Sequence, residues 1–348
     1  MQGKVAYTRT GTPTNIGSQS ASYGNGTVIA YANGLKFNNT YYVGSDSDLT
    51  VNNACTEYTI NTATGWNYFC AVLAENAQGY FTGKTVKLGN SITVGTMAGN
   101  SDRSFSGTFD GSSNTLTFNY GSSSQPFTEE YCAPFRYTNG AIFNNLCVDG
   151  TIYTSQKYAA GIVSSASDST VITNCCSSIH IISSVSNDNN DGTHGGFIAC
   201  TSSNSRTSIT GCVFDGSIAS ANPNSPTTRC GGFVGWSNSS TITVTITNCL
   251  LAADMSTISG TGSCTFVRPY NGLTITNSYY ITAFGNTLQG TKVYSISKGQ
   301  YVTTLENAGI VSNNYTTSSL TFYNVGLKYG NICLEPTMCI NGILNIME

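Results

Sequence analysis

Two histidines, His180 and His194, and seventeen acidic residues are the whole supply of carboxylate and imidazole groups in 348 residues. Neither histidine belongs to a His-Glu-x-x-His helix, which excludes that form of zinc peptidase chemistry, and no Gly-x-Ser-x-Gly elbow is found. His194, just ahead of Gly195-Gly196, reads as a turn residue where the chain enters a repeat. Asp149 and Asp215 come nearest to a glycosidase pair, which needs carboxylates about 5 to 9 Å apart, but the repeat between them carries Ser178. A polysaccharide lyase would need a basic residue beside acids, and Arg103, Arg136, Lys157, Arg206, Arg229 and Arg268 are scattered without an evident acidic partner. The one acid-rich loop, Asn187-Asp188-Asn189-Asn190-Asp191-Gly192, makes Asp188 and Asp191 candidate calcium ligands. Counted from Asn187, the place of the EF-hand's closing Glu is taken by Ile198, so a plain polar loop is the simpler reading and no other cofactor is expected. Tyr131, Phe135, Tyr137, Tyr153 and Tyr158 are candidates for stacking on sugar rings, with core and face packing as the competing explanation.

Charged residues make up 9% of the chain, against about 25% in an average soluble domain, and the net charge is -3. No basic stripe exists, which excludes nucleic acid as a partner. Apolar runs stop short of the ~18 residues a membrane span needs, so no membrane insertion is expected. A hydrophobic share of 39% supports a core and argues against disorder. Thr, Asn, Ser and Gly crowd the positions where helix formers would sit, which points to an extracellular or cell-surface β protein. The opening residues lack the apolar stretch of a signal peptide, so the chain is expected to be a segment of a longer secreted protein.

What must position these side chains is a set of internal repeats. Ala160-Gly161-Ile162-Val163, Gly195-Gly196-Phe197-Ile198 and Gly231-Gly232-Phe233-Val234 align. Each is followed by a second match ending at Cys175, Cys212 and Cys249, spaced 37 residues apart. Leu146 takes the cysteine's place upstream, and weaker echoes run from Phe105 to Ser278. Strands such as Ile242-Thr243-Val244-Thr245-Ile246 alternate apolar and hydroxyl residues, and no segment between the matches has a helical period. Short strands cornered by Gly and Asn stack in parallel about 4.8 Å apart, so the economical fold is all-β, a right-handed parallel β-helix or solenoid. In that stack Cys175, Cys212 and Cys249 form an inward column, within disulfide range of each other but favoured as packing because Leu146 continues the series. Asn145, Asn174, Asn248 and Asn277 form an amide column at a bend, and Asp110-Gly111, Asp149-Gly150 and Asp215-Gly216 read as related corners.

One segment breaks the β pattern. Trp66, Phe69, Cys70 and Leu73 fall at helical spacing, bounded by Thr64 and Gly79, and predict a capping helix at about 65–77 that covers the open end of the solenoid. The domain reading is a β-rich flank over 1–57, repeats over 58–285 with their cap, and a β-rich C-terminal segment over 286–348, in which Cys333 and Cys339 could close a small loop. The flanks are expected to join neighbouring modules of a parent protein.

The repeat core resembles the GLUG-motif right-handed β-helix repeats of bacterial surface and secreted adhesin-like proteins. The motif stands here as Gly161-Ile162-Val163-Ser164, Gly196-Phe197-Ile198-Ala199 and Gly232-Phe233-Val234-Gly235, and the likeness covers roughly residues 58–285. The resemblance implies a β-helix and, by analogy alone, adhesion. The resulting expectation is a non-catalytic extracellular module, binding a glycan or surface protein or acting as a spacer, with contacts supplied by the polar insertions 121–131, 183–194 and 219–230. Two alternatives stand beside it. One is a polysaccharide lyase or glycoside hydrolase, and the other an ice-binding solenoid built on the Thr rows around Thr243, Thr245 and Thr247.

Overall fold

The computed structural model describes residues 45–185, 191–202, 205–237, 241–268 and 272–292, together with strand backbone within 19–42 and at 322–323 and 326–327. Asp188, the 187–190 part of the acid-rich loop, Cys333 and Cys339 lie outside the described residues. The fold is mostly β, built on parallel sheets.

Three sheets carry the repeats, and in each the neighbours are equivalent strands of successive repeats. The largest runs from Glu57–Ile60 through Thr85–Leu88, Thr108–Asp110, Ile142–Asn144, Ser169–Thr173, Arg206–Thr210 and Thr243–Thr247 to Leu273–Thr276, with Leu49–Val51 added antiparallel at one end. It therefore begins ahead of residue 58. An eight-stranded parallel sheet runs from Ile92–Val94 to Thr291–Lys292, and a four-stranded one contains Phe135–Asn139, Val163–Ser167, Ile198–Thr201 and Val234–Ser237. Thr151–Thr154, His180–Ser183 and Ser217–Ser220 make a smaller fourth layer. The alternating run Val28-Ile29-Ala30-Tyr31 belongs to strand Gly26–Tyr31 of a separate antiparallel sheet.

Period-two alternation decides which side chains go inside. Phe109, Phe143, Ile172, Ile209, Ile246 and Ile275 are consecutive register partners, and all but the terminal Ile275 are buried. Phe197, Phe233 and Phe266 stack in a second column with centroids 4.8 and 4.9 Å apart. The motif glycines are required by close approach between repeats. A Cβ on Gly161 would overlap the Gly196 carbonyl, one on Gly196 the Phe214 ring, and one on Gly232 the Thr265 carbonyl.

The cysteine column does more than pack. Cys175, Cys212 and Cys249 each donate Sγ–H to the carbonyl two residues back, at 3.2, 3.3 and 3.2 Å, and each also reaches a carbonyl of the preceding repeat. Ser278 continues the series with an Oγ donor at 2.9 Å to Thr276. The amide of Cys212 donates to Cys249 Sγ, and the amide of Cys249 to Ser278 Oγ. These thiols satisfy backbone groups left over by the bend beside them. The eleven described cysteines are free thiols.

That bend corrects the reading of the Asn column. Asn145, Asn174, Asn248 and Asn277 are left-handed, with φ between 45 and 52°, and Gly211 takes the same conformation in the intervening repeat. Asn tolerates this region better than other side chains, so backbone conformation explains the column. The side chains do not form a continuous ladder: Asn145 donates to Asp110, while Asn248 Oδ1 has no partner. The Asp-Gly pairs also divide. Asp110 is the register partner of Asn144 in the largest sheet, whereas Asp149 pairs with Thr117 in the eight-stranded sheet, so they turn different corners.

The single helix among the described residues, α1 (Ala63–Glu75), starts two residues earlier than its apolar stripe suggested. Thr62 is extended and its hydroxyl accepts from the Gly65 amide at 3.1 Å, which makes it the N-cap instead of Thr64. A Cβ on Gly65 would overlap the Asp48 carbonyl. Trp66 and Phe69 are fully buried against Phe105, Phe109 and Phe135, and Trp66 donates to the Thr96 carbonyl at 3.0 Å. Cys70 is only half-buried, and Val72 and Tyr68 complete the inward face.

Candidate functional site

A second corner column stands where the polar insertions rejoin the four-stranded sheet. Tyr131, Tyr158, Thr193, Arg229 and Gly262 occupy it in five successive repeats, with φ of 69, 67, 47, 55 and 64°. The register is fixed by backbone bonds from Tyr131 to Lys157, Tyr158 to Gly192, Thr193 to Arg229 and Arg229 to Thr261. Glycine is the residue this conformation favours, and a left-handed L-residue costs roughly 1–2 kcal/mol. In the Asn column the sequence accommodates that preference; here Tyr, Tyr, Thr and Arg stand against it. Backbone strain of this kind is a reason to look for function.

The side chains at these corners assemble one surface. Tyr131 and Tyr158 stack with centroids 4.8 Å apart and planes 13° from parallel, and Tyr137 leans on Tyr131 at 5.3 Å. Beyond Tyr158 the corner side chain shrinks to Thr193, and the register row on the sheet reads Tyr137, Ser165, Cys200, Trp236. Large rings thus bound a stretch of small residues. The result is a cleft of about 220 Å³ lined by Tyr131, Tyr158, Asp191, Thr193, Cys200 and Trp236.

Its charges are internally arranged. Arg268 donates from Nη1 to Asp191 Oδ1 at 3.3 Å and to the Arg229 carbonyl at 2.8 Å, and its guanidinium lies 4.5 Å from the Trp236 ring centroid. Lys157 Nζ is 4.0 Å from Asp191 Oδ2. Burial lowers the Arg268 pKa while Asp191 opposes the shift. Burial also pushes the Tyr131 and Tyr158 phenols up to about 12, so both rings stay neutral. The Cys200 thiol is likewise raised to about 12, which removes it as a nucleophile.

Of the five aromatic candidates, Tyr131, Tyr137 and Tyr158 meet here. Phe135 does not: it is fully buried against Trp66, Phe109 and Phe143, because its strand position points inward. Tyr153 lies on the small fourth layer, opposite Ile182. Asp191 joins the aromatic site as the partner of two cations, and among the described residues, which leave out Asp188, there is no group of three His, Cys, Asp or Glu that could hold an ion. Arg136 also has an acidic partner that spacing did not reveal, Glu129 at 2.8 Å. Trp236, Arg268 and Thr193 were missed, since only the unequal loop lengths bring them into line. The signal available in sequence for the corner was the recurring position three residues before the motif glycines Gly161, Gly196 and Gly232, held by Tyr158, Thr193 and Arg229.

Asp149, Asp215, His180 and His194 each have hydrogen-bond partners in the fold. Asp215 is buried and accepts from Ser178 Oγ at 2.6 Å, while Asp149 accepts from the Gly150 amide at 2.7 Å. His194 is fully buried, its Nδ1 accepting from the Ala159 amide at 3.1 Å and its Nε2 lying 2.8 Å from Ser183 Oγ. His180 contacts Ser217 at 2.9 Å. The Thr rows are regular in one column, Thr173, Thr210, Thr247 and Thr276, but Val171 and Arg206 interrupt the neighbouring ones.

The described residues define a mostly β protein of stacked parallel sheets. No protein-family model matches the chain, and no curated protein matches it. Among solved structures it is similar to a Bacteroides ovatus crystal structure provisionally described as an immunoglobulin A1 protease, at 16% identity and a TM-score of 0.43, covering 80% of this chain and 92% of that one. A likeness of that degree says nothing about activity here.

Proposed function

We propose that this chain is a right-handed parallel β-helix that works outside the cell as a non-catalytic binding module of a surface or secreted protein, with the Tyr131–Tyr158–Trp236 face as its contact surface. The observation that carries the reading is the corner column. Four non-glycine residues hold a conformation that Gly262 shows to be glycine's place, and two of them build an outward aromatic stack. Ring side chains kept against the backbone's preference and left partly exposed, as Tyr131 and Tyr158 are, support a contact role for this face. Low charge and surface hydroxyls support an extracellular setting, and the GLUG-like repeats support the handedness and the adhesive role.

A glycan array and a panel of candidate surface proteins, probed with wild type and a Tyr158→Ala/Trp236→Ala double variant, test the proposal. Binding by wild type that the double variant loses supports it. No binding to anything leaves only a spacer. Unsaturated products or new reducing ends from polysaccharide incubations, abolished by Asp149→Asn or Asp215→Asn, would replace it with an enzyme.

A further inference from the structure

The cleft's dimensions and charges narrow the ligand class. Adjacent repeats are about 4.8 Å apart, so Tyr158 in the corner column and Trp236 in the neighbouring sheet row, two repeats removed from each other, are about 9.6 Å apart along the stack, with the sideways offset between the two columns in addition. One flat guest between two walls needs two carbon–carbon contacts of about 3.5–4.0 Å, close to 7–8 Å in all. The volume, about 220 Å³, is smaller than the roughly 300–1,000 Å³ of sites that take drug-sized ligands. The space admits one ring. It opens because the repeat between the walls carries Thr193 and Cys200 where its neighbours carry Tyr158 and Trp236.

Four charged groups at the cleft balance, and a fifth, Arg229, lies over Gly262, in the repeats farther from Tyr158. Lys157 and Arg268 stand on one side of the balance. Asp191 and Glu130 stand on the other, the latter close enough to raise the pKa of both Tyr131 and Tyr158. An anionic ligand would meet Asp191 and Glu130, and a cationic one Lys157 and Arg268. Arg268 also occupies a face of Trp236, where an ammonium guest would otherwise gain most. What remains is an apolar ring face on Tyr158 beside a carboxylate and an ammonium, groups that accept from and donate to hydroxyls.

Building on the binding role above, we infer that the cleft takes a single pyranose ring of a neutral glycan, its C–H face on Tyr158 and its hydroxyls toward Asp191 and Lys157. Thr193 supplies the space and Trp236 the far wall.

The test uses the full chain with neutral oligosaccharides of glucan, mannan and xylan, and with oligogalacturonate as the acidic comparison. Calorimetry at low and high salt is combined with saturation-transfer NMR on wild type, Tyr158→Gly and Thr193→Tyr. At least one neutral sugar is expected to bind with an affinity unchanged by salt. Tyr158→Gly should weaken it tenfold or more with the chain still folded, because glycine fits the corner and offsets part of the packing the ring gives up on Tyr131 and the Ala133, Ala160 and Ala199 cluster. Thr193→Tyr, filling the slot as Tyr131 and Tyr158 fill theirs, should abolish binding. Preference for oligogalacturonate that fades with salt overturns the neutral-sugar assignment and leaves the binding role intact, as does neutral-sugar binding that survives Tyr158→Gly. Absence of binding to every sugar, with a protein ligand found instead, overturns this inference alone. Absence of any ligand overturns both.

Discussion

Acid should loosen this fold through His194 well before general charge repulsion does. Its imidazole is fully buried, held between the Ala159 amide and Ser183 Oγ, and Thr227 donates to the same hydroxyl. The Ala159 N–H needs Nδ1 as an acceptor, so the native ring is the neutral Nε2–H tautomer and donates to Ser183. Burial lowers its pKa to about 3. An unfolded histidine titrates near 6.5, so between those values the unfolded chain binds a proton that the native protein refuses, and stability falls as pH falls. At about 1.4 kcal/mol per pH unit, the loss is about 2 kcal/mol by pH 5 and about 4 kcal/mol near pH 3, all of it absent above pH ~7. Urea denaturation followed by intrinsic fluorescence at pH 7, 6, 5 and 4 measures this in wild type and in His194→Gln. The variant starts lower at pH 7, having exchanged a fitted ring for an amide, but its stability should change little from pH 7 to 5. Carboxylate titration is common to both proteins and cancels in the comparison. An unchanged pH slope in His194→Gln would refute the assignment.

Three further outcomes follow from packing. Cys212→Ser keeps a donor and an acceptor at the bend and should stay close to wild type, whereas Cys212→Val strands the Thr210 carbonyl and should cost about 1–3 kcal/mol in chemical denaturation. Phe135→Ala empties the aromatic cluster under α1 and should cost about 3–5 kcal/mol, while Tyr137→Ala, on the outer face, should cost less and act on ligand binding. Gly196→Ala drives a methyl into the Phe214 ring and the Gly232 carbonyl, and should lower the unfolding free energy by about 1–3 kcal/mol or more without touching the binding face.

Much of the fold was legible because a stack of repeats writes its contacts into one-dimensional spacing. The 37-residue interval between Cys175, Cys212 and Cys249 places them in one column, and the alternation in 242–246 sorts inward Ile from outward Thr. The helix stripe was legible too, but its start was displaced because Thr62, not Thr64, holds the extended backbone that lets a hydroxyl reach the third amide on. The aromatic site was legible in part. Tyr131, Tyr137 and Tyr158 could be named, but Phe135 could not be told from Tyr137, because alternation puts residues 135 and 137 on one face, whereas the strand breaks that alternation: Phe135 and Thr138 are buried and Tyr137 between them is not.

Composition and periodicity alone thus determined the β class, the repeat unit, the columns of like residues and the scarcity of groups for acid–base work. These depend on local preference and on spacing, which a chain carries in its order. Only the tertiary structure decided that one left-handed column is occupied by Asn and Gly and the other by Tyr, Thr and Arg. It alone brought Asp191 to Arg268 across 77 residues and set Trp236 opposite Tyr158. Those pairings depend on how insertions of unequal length return to a common register. Register is fixed by backbone hydrogen bonds between repeats, not by any pattern within one of them.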